Sequence, residues 1–96
     1  MKTAIYRRPT SPDQAHAVDV TLGEGDTRTL SIHKSQHLYE VLDMALPKPG
    51  NSGIIFGGDW LGDWYMVSRA QAEELHSALD RELQHYLDFV NGGSGK

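Results

Sequence analysis

Cysteine is absent from this chain. That excludes disulfides, thiolate zinc sites, thiol nucleophiles and iron–sulfur clusters. It also leaves the fold to be held by its core alone, as suits a cytoplasmic protein. Long apolar runs are missing too. No stretch approaches the ~18 apolar residues that a membrane span needs, so no membrane association is expected. The basic residues Lys2, Arg7 and Arg8 are not followed by the apolar segment of a secretion signal. Neither G-x-x-x-x-G-K-[ST] nor G-x-G-x-x-G occurs, and no G-x-S-x-G element marks a serine as a nucleophile. Gly50-Asn51-Ser52-Gly53 and Gly57-Gly58 therefore read as turn glycines, and no cofactor is expected.

Cations are scarce as well: 9 Lys and Arg stand against 13 Asp and Glu, a net charge of −4. The first eight residues hold +3 of charge, so the remaining 88 sum to −7. Residues 59–90 alone contain Asp59, Asp63, Glu73, Glu74, Asp80, Glu82 and Asp88 against Arg69 and Arg81. An acidic body argues against direct nucleic-acid binding, which is driven by cationic charge. The acids fall in a turn and on a solvated helix face, not in converging buried pairs. General acid–base chemistry needs such pairs, so catalysis is not expected. Five histidines are scattered. His33 and His37 are four apart, but with Ser35 as a helix cap His33 falls before the helix. No third ligand stands at a motif spacing.

What is present describes a small globular domain. The chain has 96 residues, of which 39% are apolar. A chain of this length buries roughly 65% of its unfolded surface, enough for one modest core. Residues 69–91 carry Ala72, Leu75, Leu79, Leu83, Tyr86, Leu87 and Val90 at steps of three and four, the stripe of an amphipathic helix. Ser68 and Gln71 have capping-box spacing, and Asn91-Gly92 is a stop. A second helix is predicted over 36–46, capped by Ser35, with Leu38, Val41, Leu42 and Ala45 on one face and Pro47 and Pro49 beyond. Strands are predicted over 17–22 and 27–32 around the turn Gly23-Glu24-Gly25-Asp26, and over 53–56 and 64–67 around the loop 57–63. Residues 3–7 add an edge strand. The fold class is α+β in the order (β)ββ-α-ββ-α: a small, mostly antiparallel sheet of about four strands with two helices on one face. Residues 1–91 form a single domain and 92–96 a flexible Gly/Ser tail.

The least ordinary segment is Asp59-Trp60-Leu61-Gly62-Asp63-Trp64, which holds both tryptophans of the chain. Tryptophan dominates binding hot spots, and loops carry recognition. The alternative is structural, with Trp64 starting a strand and packing inward while Trp60 covers the hairpin end. Turn formers surround Trp60, which makes it the more exposed of the two. With no catalytic or cofactor constellation, the sequence reads as a small protein-binding module, accessory, regulatory or inhibitory. Its size and charge are also those of phage or mobile-element inhibitors of host defence. The expected partner is another protein with a basic or pocketed surface, met by Asp59, Trp60, Leu61, Asp63 and Trp64. Two alternatives stand beside this: a homodimer or larger oligomer paired through the last helix, and a ligand-binding protein or enzyme with a pocket near residues 50–62.

Overall fold

The computed structural model describes residues 3–11, 13–22, 26–47 and 53–92. Among them the order is β1 (Ala4–Arg7), β2 (Ala17–Leu22), β3 (Asp26–Ser31), α1 (Ile32–Ala45), β4 (Ile54–Gly58), β5 (Asp63–Val67) and α2 (Arg69–Gly92). The fold is α+β. The expected turn at Gly23-Glu24-Gly25, the glycine segment 50–52 and the tail from residue 93 lie outside the described residues. No helix among those described is long and apolar enough to cross a membrane.

β2 follows from its alternation. Val18, Val20 and Leu22 turn to one side and are buried, while Asp19 and Thr21 turn to the other. β1 and β3 pair with β2 on either side, both antiparallel. On the outer face Asp19 ties the three strands together: Arg7 Nη1 donates to its Oδ2 at 2.9 Å and Thr29 Oγ1 to its Oδ1 at 2.7 Å. The inner face meets the helices, with α1 on β2 and β3, and α2 on β1 and α1.

All five strands of the expected order are present, but they form two sheets where one sheet of about four strands was expected. There are five among the described residues, in a three-stranded sheet and a separate two-stranded hairpin of β4 and β5. The hairpin meets β3 through side chains instead of a ladder: Tyr65 donates its hydroxyl to Asp26 at 3.1 Å, and the Arg28 guanidinium lies over the Tyr65 ring. One core nevertheless unites the molecule. Ala4, Val20, Leu30, Leu42, Phe56, Val67 and Leu79, one from each element, belong to the same buried cluster.

α2 begins where the capping box predicts. Ser68 Oγ accepts from the Gln71 N–H at 3.1 Å, and Gln71 Oε1 accepts from the Ser68 N–H at 3.2 Å. Its stripe buries Ala72, Leu75, Leu79 and Leu83, worth about 1.5–3 kcal/mol for each fully buried leucine. α1 starts four residues earlier than expected. Ser31 is the cap, accepting from the Lys34 N–H at 3.2 Å. Ser35 sits one turn inside, fully buried, and returns its hydroxyl to the Ser31 carbonyl at 2.9 Å. Ile32 thus opens the helix instead of ending β3.

Candidate functional site

The tryptophan segment folds into a tight turn between β4 and β5. The Leu61 and Gly62 N–H groups both donate to the Gly58 carbonyl, at 3.1 and 2.9 Å. Gly62 closes the turn at φ 81°, a conformation that glycine adopts without a Cβ clash. Leu61 points inward and is only 5% exposed, so its side chain belongs to the core and not to the surface at which it was expected. Trp60 is half-buried against the same core, its ring perpendicular to that of His37 at 4.6 Å.

Trp64 behaves in the opposite way. It starts a strand, but on the outward face, because its cross-strand partner is Gly57 and the inward pair is Phe56 with Tyr65. The exposure of the two tryptophans is the reverse of that expected from the turn formers around Trp60. The Trp64 indole reaches across Gly58, where an added Cβ would meet its Cζ2 at 3.4 Å. Asp63 orients the start of β5 by accepting from the Trp64 N–H at 2.8 Å. A recess of about 300 Å³ is lined by Gly58, Asp59, Gly62, Asp63 and Trp64. Three of the five expected contact residues therefore converge here, while Trp60 and Leu61 support the recess from within.

Two further residues extend this face. Ile55 and Met66 are cross-strand partners on the same outward side as Trp64. Ile55 is 63% exposed, Trp64 66% and Met66 71%. The sequence does hold a signal for them. Residues 54–56 and 64–67 are apolar at every position, so both faces of the hairpin must be apolar, and only one can face the core. The electrostatics are mixed. Asp59 and Asp63 make the rim acidic, and Arg28 lies beside Gly62. Burial first, then the hydrogen bond to Asp26, pushes the Tyr65 phenol above its ordinary 10.0, against the opposing pull of Arg28.

The histidines are dispersed. His33 and His37 both lie within α1, because the helix starts at Ile32. His76 pairs with Asp43 at 3.1 Å and stacks on Tyr39. His16 accepts from the Tyr6 hydroxyl or donates to it, and His85 lies 3.6 Å from Glu82. Among the described residues, no group of three or more His, Asp or Glu is placed to hold a metal. The chain matches no family model, no curated protein and no solved structure.

Proposed function

We propose that this protein is a small cytoplasmic binding module that occupies the surface of another protein through the outer face of its β4–β5 hairpin. One observation carries the reading: Ile55, Trp64 and Met66 lie together on one sheet face, each more than 60% exposed. Single exposed apolar residues are ordinary, but a contiguous group rimmed by polar residues marks an interaction surface. Trp64 is the anchor, since a rigid indole buries a large area with little loss of rotamer freedom. Asp59 and Asp63 favour a partner whose pocket has a basic rim. The module is accessory, regulatory or inhibitory in this reading, and no reacting group is required of it.

Pairing of two copies through α2 has less to recommend it. Of the stripe that suggested it, Ala72, Leu75, Leu79 and Leu83 are buried within the protein's own core, and Leu87 near the end of the helix is exposed.

A photo-reactive residue placed at Met66 tests the proposal in extract from the source cell. It should capture one protein in stoichiometric amount, while the same residue at the exposed Glu73 of α2 captures none. Trp64→Ala should abolish that capture and leave the melting temperature unchanged. Trp60→Ala should lower the melting temperature, because Trp60 packs on the core. Equal capture from positions 66 and 73 would reject the hairpin face.

A further inference from the structure

The strand edges of this molecule are guarded unequally. β1 is closed by Glu82, whose Oε1 accepts from the Tyr6 N–H at 2.8 Å. β3 carries Asp26 and Arg28 and runs straight into α1. β4 ends in Gly57 and Gly58 at φ 123° and 112°, so its last two residues leave the regular extended conformation. β5 has none of these devices. After Asp63 it reads Trp64-Tyr65-Met66-Val67, with no charge, proline or glycine. Natural edges are blunted by such features, and an edge without them is a template for another strand.

β5 also has room beside it. Among the described residues its ladder is with β4 alone, and no other strand or helix runs alongside it. The bond from Tyr65 to Asp26 leaves through the inward side chain, not along the edge. A two-stranded sheet is marginal by itself, and further strands are what such a hairpin lacks.

The residues of β5 say which strand fits. Laid antiparallel on a second β5 about a two-fold axis at Tyr65, the strand sets Trp64 opposite Met66 and Asp63 opposite Val67. Trp64 and Met66, both exposed on the outward face, then cover each other twice, once on either side of the axis. Thioether–aromatic contacts are favourable, and cross-strand pairs of this kind stabilise sheets. The two Asp63 carboxylates fall at opposite ends, so no like charges meet across the seam. The strand is complementary to its own copy, as a closed two-fold interface requires.

We infer that two copies of this chain pair through their β5 edges, joining the hairpins into one four-stranded antiparallel sheet. The inference does not rest on the partner proposed above. The joined sheet carries the Ile55, Trp64 and Met66 faces of both copies on one side.

Sedimentation velocity of the full chain, from micromolar to millimolar concentration, tests the inference. The mass should rise from that of a monomer to that of a dimer. Met66→Lys places a charge on the edge and removes both symmetry-related pairs, so it should raise the dimer dissociation constant roughly tenfold. Ser77→Lys, the same charge at an exposed position of α2, should leave it unchanged. Circular dichroism checks that each variant is folded. In a mixture of isotope-labelled and unlabelled chains, the Met66 methyl of one copy should show an intermolecular NOE to the Trp64 ring of the other. A monomer at millimolar concentration would overturn the inference. So would an unaltered dimer in folded Met66→Lys, or intermolecular NOEs confined to α2.

Discussion

Glu82 is the one charged side chain among the buried described residues, 4% exposed. A buried carboxylate is costly unless its oxygens are occupied, and here they are. Its Oε1 accepts from the Tyr6 backbone N–H at 2.8 Å, and its Oε2 accepts from Arg81 Nε at 3.3 Å. Tyr6 belongs to β1, whose only strand partner among the described residues is β2, so this N–H lies on an edge that would otherwise invite a foreign strand. Glu82 closes that edge from α2. Replacing it by alanine should cost about 1–3 kcal/mol, the penalty for a buried donor left unpaired. The Tyr6 amide should then exchange its hydrogen faster. Glu82→Gln keeps an acceptor oxygen and should preserve more of both. Urea unfolding with amide exchange measures the pair, and an unchanged Tyr6 amide in Glu82→Ala would show that the edge is protected in another way. Nothing local in the sequence marks Glu82. It flanks the apolar stripe as any solvated acid does, and its partner is 76 residues away.

At the level of elements, the two helices and the hairpin are held by separable devices. Ser68→Ala removes the α2 cap, and Ser31→Ala the α1 cap. Each should cost about 1 kcal/mol, read as a lower urea midpoint with an unchanged slope. The hairpin depends on Gly57, at φ 123°, where an added Cβ would stand 2.4 Å from the Asp63 carbonyl oxygen. Gly57→Ala should therefore open β4 and β5 to hydrogen exchange while β1, β2 and β3 stay protected. Uniform protection across both sheets would mean that the hairpin absorbs the clash. These devices were unevenly legible in the sequence. The α2 capping box and the alternation of β2 are local patterns, and both elements begin where those patterns predict. The start of α1 was ambiguous because Ser31 and Ser35, four residues apart, are both good caps. The choice fell to burial: Ser35 lies beneath the helix with its hydroxyl returned to the Ser31 carbonyl, which leaves Ser31 to accept from the Lys34 N–H as the cap. The face of Trp64 was illegible for a similar reason. A strand that is apolar on both sides does not say which side the core will take, and the decision came from the register that sets Gly57 opposite Trp64.

For the molecule as a whole, three tyrosines sit where different elements meet. Tyr6 of β1 packs edge-on to Tyr86 of α2, Tyr39 of α1 stacks on His76 of α2 at 4.5 Å, and Tyr65 of β5 bonds Asp26 of β3. All three phenols are raised above 10.0, in each case first by burial. Tyr86 adds to the effect at Tyr6 and Arg8 opposes it, while Asp80 and Asp43 add to it at Tyr39. A phenol with a raised native pKa keeps its proton at a pH where the unfolded chain has lost it. The unfolded state then binds fewer protons, so stability falls as pH rises. This contribution is fully present below about pH 10 and is lost as pH climbs through the native values. Urea midpoints measured at rising pH should hold steady up to that point and then decline, alongside the near-ultraviolet signal of phenolate. Tyr39→Phe and Tyr65→Phe should each flatten the decline, Tyr39→Phe through the α1–α2 junction and Tyr65→Phe through the hairpin. The hairpin should also exchange faster above that pH than the three-stranded sheet, because the Tyr65 hydroxyl ceases to donate to Asp26 once ionised. A decline equally steep in both phenylalanine variants would mean that the alkaline transition lies elsewhere, and that these junctions are held by packing without their hydroxyls.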